Sequence, residues 1–532
     1  MCSEIHLGKP MIKRPTFLIA AIAISLSSSQ LARAQAPGFC AAPSAVKAIT
    51  DPGELRTVIV TDATVLKNPK VDFSFGRTLG AIISSFGGVA DSPAARLGLL
   101  SSMINSFNDK SDVNPESRIA LPLTPRPGEV GLDPSKMMTK GDPDEMRIVG
   151  LFNRLDLAPA DWKYCGEHRI VYEKGNPVSP TNRLTIIFEA ALDNPEPQKG
   201  GEGCKAVAEF WDGLKGKSGD ELATQLEMFY FKGLAGKTRP VVHYLQYGLP
   251  FGQVRANLFV NQPKFLWQLR EWHLRPNADG TLNFVPDTVK ANALPSLYGQ
   301  AIAGEDPRLA ALRQQFSNEL IATYVDAIAD TDEQALSKGS KATLDTLLFK
   351  MGVPISDKYN TFESTASGSD DDPLVNAQKG GGLLPRIKPK LDSAKLSQGC
   401  SMTSEQILNR IGAQSCGGCH HFSGGKSIAS LGPGTELKWP DMPGFVHIDE
   451  NGDISILLKD FFLPSRRQNL IDFLKAPAAP QVSASARSFD DFRTRLAEPG
   501  SLSTTDTDIR RSDLRTADKL TEGAFTRFRS AD

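Results

Sequence analysis

The chain has 532 residues, 60 basic against 61 acidic side chains, 40% hydrophobic and 23% charged residues. That composition is globular and excludes a fully disordered chain, a collagen-like chain and a polytopic membrane protein. The formal net charge of -1 gives no bulk reason to look for nucleic acid or an anionic membrane. Single cores stop growing at about 250–300 residues, so two folded units and some connecting chain are expected.

Lys13 and Arg14 precede an apolar run from Phe17 to Leu26, and small polar residues lead on to Ala34-Gln35-Ala36. A basic start, an apolar stretch and a small-x-small site form a secretory signal, read here as residues 1–36 and cut after Ala36. The apolar run is shorter than the roughly 20 residues that a membrane span needs, and no later run is longer. The mature chain is therefore expected to be periplasmic or secreted, without a membrane span. Export places Cys40, Cys165, Cys204, Cys400, Cys416 and Cys419 where cysteines pair or bind a cofactor.

Residues 37–363 read as an α+β domain. Thr57 to Thr61 looks like a strand, Thr78 to Phe86 a small-residue helix or loop, and Pro122 to Asp144 a long surface loop. From Met146 to Val289 the pattern is mainly β: Arg147 to Leu157, Arg169 to Tyr172, Leu184 to Ala191, Trp267 to Leu274 and Thr281 to Val285. Asn277-Ala278-Asp279-Gly280 between the last two is a hairpin signal. One helix interrupts, Glu221 to Phe231, with Leu222, Leu226 and Phe229 or Tyr230 on one side.

After Pro307 the period turns helical, with Leu309, Leu312, Phe316, Leu320 and Tyr324 on one face, and a second helix is expected over Thr343 to Met351. Residues 364–396 hold Asp370-Asp371-Asp372-Pro373 and Gly380-Gly381-Gly382 and read as a linker. A second unit spans 397–476, and 477–532 is a charged, loosely ordered tail. The fold class expected is α+β: a large antiparallel-sheet domain followed by a small all-α module.

The sharpest local feature is Cys416-Gly417-Gly418-Cys419-His420. Cys-x-x-Cys-His is the attachment signal for a c-type haem. Two thiols one helical turn apart reach the two vinyl groups of one porphyrin edge as thioethers, and the adjacent imidazole faces the iron as its proximal ligand. Gly417 and Gly418 are expected to leave room for the haem edge. Thr403 to Ala413 can be a helix leading into the motif, with Ile407, Leu408 and Ile411 as its apolar face and Thr403 or Ser404 as its cap. A Gly/Pro loop follows from Gly424 to Gly444, and a helix restarts near Pro464 or Ser465.

Helix, motif, loop and helix in this order resemble a small class I c-type cytochrome module. The resemblance implies a covalent haem c, single-electron transfer and a further iron ligand downstream. Met442, in a Pro-flanked loop, is the type that family usually shows. His447, in Phe445-Val446-His447-Ile448, is taken first because Met442 follows His420 more closely than the family pattern. His421 is expected at solvent or against a propionate. Cys165-Gly166-Glu167-His168-Arg169-Ile170-Val171-Tyr172, together with the distal motif and Phe-Val-His-Ile, also resembles a set of uncharacterised exported bacterial proteins. That implies a shared architecture and no particular substrate.

Two other readings of the motif stay open: a local Cys416–Cys419 disulfide, and zinc held by both with Cys400 and a histidine. Among the other cysteines the expected pairs are Cys165–Cys204 and Cys40–Cys400. The large domain holds candidate polar residues (Asn153, Arg154, Asp156, Glu167, His168, His243, Arg270, Glu271, His273), and Trp267, Trp272 and Phe284 could line a cleft. It shows no nucleophile elbow, zincin or phosphate-loop motif. The function expected is an exported c-type haem protein that transfers single electrons and whose large domain binds a substrate or a redox partner, either a periplasmic protein or a small-molecule electron donor. The alternative is a non-redox exported binding protein or hydrolase with structural cysteines.

Overall fold

The computed structural model describes residues 48–475, except 160, 177–181, 249, 260–266, 301–304, 330–354, 367–369, 394–401 and 443. The signal segment, the Cys40–Cys400 pair, the helix expected at Thr343 to Met351 and the charged tail lie outside the described residues.

The strands are β1 (Ile59–Val60), β2 (Ser111–Val113), β3 (Ala120–Pro122), β4 (Arg147–Arg154), β5 (Tyr164–Lys174), β6 (Leu184–Asp193), β7 (Gln253–Phe259), β8 (Trp267–Pro276), β9 (Leu282–Asp287), β10 (Glu363–Thr365), β11 (Ser427–Gly432) and β12 (Thr435–Lys438). Eight of them form one sheet in the order β1-β4-β5-β6-β7-β8-β10, with β9 also on β8, and every pairing is antiparallel. β9 pairs with residues 271–276 of β8 and β10 with residues 268–270, so the two share one edge. β2–β3 and β11–β12 are separate hairpins. The α+β class and the β8–β9 hairpin are as expected, with Gly280 at φ 82 in the turn; β7 was not foreseen.

Among the described residues, the α-helices of eight residues or more are α1 (Phe75–Phe86), α2 (Pro93–Ser106), α3 (Lys205–Gly213), α4 (Gly219–Phe231), α5 (Pro307–Glu319), α6 (Pro373–Gly380), α7 (Leu384–Ser393), α8 (Ser404–Gln414) and α9 (Leu463–Lys475). Ser74 and Ser92 cap α1 and α2, accepting from Arg77 N at 3.3 Å and Ala95 N at 3.1 Å. The α4 face is the expected one: Leu222, Leu226, Phe229 and Tyr230 are all buried. Helices α1 to α4 cover one face of the sheet, where Ile170, Tyr172, Ile186, Phe188, Val254, Ala256 and Trp272 join Leu79, Leu100, Trp211 and Phe229 in the main core. Each such fully buried side chain contributes about 2 kcal/mol by area.

Residues 364–396 are not a linker where described. Asp372 caps α6 by accepting from Leu374 N at 3.0 Å, Pro373 fills the first helical position, and Gly381 ends the helix at φ 67. The Asp-Pro and Gly-Gly pairs are thus helix start and stop signals rather than flexible chain. Ala377, Ile387, Phe316, Ile407 and Leu408 from α5 to α8 share a second core.

The stretch from Met402 to Lys475 is not all-α either, because it contains β11–β12. Its apolar side chains also complete cores with the sheet's second face, Cys419, Met442 and Phe462 packing with Val171 and Ile187. Among the described residues no helix is long and apolar enough to cross a membrane.

The Cys165–Cys204 pair is formed, with S–S 2.01 Å. It ties the start of β5 to the residue that precedes α3. Replacing both with alanine is expected to lower the unfolding free energy by about 2–5 kcal/mol, measured as a lowered urea midpoint with a steeper slope from the less constrained unfolded chain.

Candidate functional site

The site is built from α8 outward. Thr403 and Gln406 form a reciprocal capping box, and Ile407, Leu408 and Ile411 are buried as expected. At Ser415 the backbone turns extended (φ -77, ψ 154) and α8 ends. The Ser415 hydroxyl then accepts from Gly418 N at 3.1 Å and the Ser415 carbonyl from Cys419 N at 2.9 Å, which starts a new helical turn carrying the motif. Both cysteines are buried free thiols, so no Cys416–Cys419 disulfide is present. Cys416 packs with Phe259, Trp267 and Leu269, and Cys419 with Val171, Ile187 and Met442.

Gly417 and Gly418 do not leave space for a ligand edge. A Cβ on Gly417 would lie 2.0 Å from Thr365 O, and one on Gly418 1.9 Å from Gly412 O. They are glycines because two backbones approach closely there. Gly417 N also donates to Ser364 Oγ at 2.8 Å, which pins the turn to β10.

His420 is 1% exposed. Its Nδ1 donates to Phe445 O at 2.9 Å, one ring face stacks on Trp267 (centroids 4.6 Å, 19° between planes), and the His447 ring lies 4.5 Å away. His447 is held by a tight loop: Ile448 bridges Ile454, and Asp449 accepts from Asn451 N and Asp453 N. Its Nδ1 meets Ser455 Oγ at 3.2 Å and its Nε2 faces Cys419 Sγ at 3.7 Å. The fold thus brings Cys419, His420 and His447 into contact, with Met442 in the same apolar cluster as Cys419. His421 stacks on Phe445 at 4.4 Å and is half buried rather than fully solvated.

Sequence reasoning missed the surface beneath this turn. Several of the residues alternating with the main core on β5 to β8 carry charge, and they are buried too. Arg169 pairs with Glu167 at 2.9 Å and Glu189 at 3.4 Å, and Arg255 with Glu189 at 3.4 Å and Glu271 at 2.9 Å. His273 Nε2 lies 3.6 Å from Glu271 and 3.2 Å from Asp287. The strand register sets this order, with Arg169 opposite Glu189, Arg255 opposite Glu271 and Glu271 opposite Asp287. The available signal was charged residues of both signs among the alternate positions of successive strands, but without the pairing register that pattern also describes a solvated face.

Burial raises Glu189, although Arg169 and Arg255 oppose it. Against the cost of burial, Arg255 holds Glu271 down to about 2. Burial likewise opposes the His273 charge, yet Asp287 and Glu271 outweigh it and raise its pKa. Burial pushes the Cys416 thiol up to about 12, with the Arg255 guanidinium as the leading opposing influence.

The other candidates have structural roles. Arg154 pairs with Asp156 at 3.0 Å, and Asn153 donates to Thr57 O at 3.0 Å. Arg270 donates to Ser106 O at 3.0 Å, and His243 Nδ1 accepts from Leu245 N at 3.3 Å. His168 accepts from Trp211 Nε1 at 3.1 Å on Nδ1 and therefore donates through Nε2 to Cys165 O at 3.2 Å. Trp267, Trp272 and Phe284 do not line one cleft. Trp267 stacks on His420, whereas Trp272 and Phe284 belong to the main core on the opposite face.

Haem c fits the donor chemistry: two free thiols at the required spacing, an adjacent imidazole with its Nδ1 anchored, and a second imidazole beside it. The packing is closed, however. Two imidazoles on opposite sides of one metal stand about 6 Å apart, from metal–nitrogen bonds of about 2 Å, whereas here they are 4.5 Å apart. A cavity of about 100 Å³ lies beside the motif, lined by Asn292, Thr365, Ser415 and Phe422 among others, and its lining includes neither cysteine. Only if the loop carrying His447 opened would the two rings stand far enough apart for the group. Zinc has less support: among the described residues no three His, Cys, Asp or Glu side chains are grouped to hold a metal ion, and Cys400 lies outside them.

No known protein family matches this chain, and no curated protein or solved structure does either. The functional reading rests on the site's own geometry.

Two outcomes are expected. Arg255→Leu leaves Glu189 and Glu271 without their shared partner and should cost about 3–5 kcal/mol, whereas breaking the exposed Lys388–Asp392 pair should cost no more than about 0.5 kcal/mol; chemical denaturation compares them. Burial pushes His168 down to about 4, below its unfolded value of about 6.5. Its contribution is intact above pH 6.5 and is lost as pH falls toward 4. Relative to His168→Gln, the wild type should lose up to about 3 kcal/mol more stability over that window, read from urea melts across pH.

Proposed function

We propose that the chain is an exported c-type haem protein that passes single electrons. Cys416 and Cys419 hold the haem through thioethers, His420 is the proximal ligand and His447 the distal one, in preference to Met442. The observation that carries this reading is the anchoring of His420. With Nδ1–H committed to the Phe445 carbonyl, Nε2 is the basic nitrogen of the neutral ring, the arrangement that orients a metal-binding histidine. His447 is preferred because its Nε2 already faces a motif sulfur. A bound haem supplies a one-electron couple, and two nitrogen ligands set it lower than a nitrogen–thioether pair does.

α8 and α9 bracket the motif, as helices do in small c-type cytochromes, although here the β11–β12 hairpin stands between the motif and α9. The large sheet domain serves the redox partner, a periplasmic protein or a small-molecule donor. Export is supported by residues 1–36 and by the Cys165–Cys204 disulfide, a bond of oxidising compartments.

The second reading, a colourless exported binding protein or hydrolase with structural cysteines, is favoured by one observation, the contact between the His420 and His447 rings. Expression with haem-maturation machinery separates the two. The haem reading expects a Soret band, sharp reduced visible bands and the added mass of one haem, all lost in Cys416→Ala/Cys419→Ala. Matured material with no Soret band and an unmodified peptide around the two thiols supports the second reading.

A further inference from the structure

Trp267 is the residue through which the large sheet meets His420 ring to ring. Its backbone is fixed twice, opposite Phe259 in the β7–β8 register and by its carbonyl, which accepts from Ala366 N at 3.2 Å. Its side chain is fully buried, so the indole has one orientation, flat against His420 at 4.6 Å and 19°. Two further restraints on that imidazole, the Phe445 carbonyl and the His447 ring, come from the C-terminal segment. A ring nitrogen binds metal in the plane of its ring, and a stacked indole covers a face rather than an edge. The contact therefore leaves ligation possible while blocking rotation of the ring.

We infer that Trp267 is a positioning residue for His420: the large sheet, through this one indole, sets the plane of the imidazole beside the Cys-x-x-Cys turn. This rests on the proposed haem reading only for its consequence at iron, because the stack itself is a property of the polypeptide. The orientation of an axial imidazole bears on the electronic structure of the iron, so the sheet domain has a direct hold on the redox centre.

The test uses the full matured chain, as wild type, Trp267→Phe and Trp267→Leu, with two readouts. In the haem-loaded proteins, Trp267→Leu should shift the ferric EPR g-values and the midpoint potential at unchanged haem content, and Trp267→Phe, which keeps a flat ring, should restore both. Haem-loaded Trp267→Leu with wild-type EPR and potential overturns the inference. In the haem-free proteins, histidine-labelled NMR follows the ring of His420, one of seven histidines. Its ring protons should carry an indole ring-current shift in the wild type that changes in Trp267→Phe and disappears in Trp267→Leu. Absence of that shift in the folded wild type also overturns the inference. A wild type that binds no haem yet shows the shift removes the proposed function and leaves the positioning role standing. If Trp267→Leu does not fold, the Trp267→Phe change in ring-current shift decides.

Discussion

The second face of the sheet is charged yet buried, and the packing around the Cys-x-x-Cys turn follows from that constraint. Arg169, Glu189, Arg255 and Glu271 are each at most 1% exposed. A lone buried charge costs several kcal/mol, so these residues are tolerable only as an alternating set in which each cation lies between two carboxylates. Register is therefore specified twice, by apolar side chains on one face and by charge order on the other, and a one-residue slip would exchange the two faces. The C-terminal segment covers this surface with apolar groups at its margins, through Val171 and Ile187 on one side and Phe259, Trp267 and Leu269 on the other. Cys419 and Cys416 fall in these two patches, which places one sulfur on each.

Legibility in the sequence tracked the range of the interaction. The α4 and α8 faces, the Thr403 cap, the β8–β9 turn and the Cys165–Cys204 pair are written in residues a few positions apart, or in a small number of cysteines. The linker reading of residues 364–396 failed because Asp-Pro and Gly-Gly-Gly mark helix ends as well as flexible chain, and only the buried Ala377 and Ile387 decide between them. The motif and His447 could be read as chemistry. Their surroundings could not, because Trp267, Arg255 and Thr365 reach the turn from far upstream through strand pairing. Charges alternating with apolar residues on β5 to β8 look the same whether the polar face meets water or protein.

Phe445 shows how tightly the segment is closed. Its φ of 58 lies in the left-handed region, which a bulky side chain enters only under constraint. The constraints are its carbonyl on His420 Nδ1 and its ring on His421. Such a conformation costs of order 1–3 kcal/mol, so the same residue that orients His420 also strains the loop leading to His447. Strain of that size lowers the cost of rearranging the loop that carries the His447 ring.

Closure also orders events in time. Cys416 is 2% exposed and Cys419 3% exposed, and a sulfur walled in on one side by the sheet and on the other by its own loop meets no reagent. Gly417 and Gly418 add to this, since their Cα atoms lie against Thr365 and Gly412 with no space for even a methyl group. Covalent chemistry at these sulfurs therefore belongs to a state in which the segment has not yet closed over the sheet. A group joined to the thiols would have to be attached before the segment closes, with His420 then held between Trp267 and the Phe445 carbonyl.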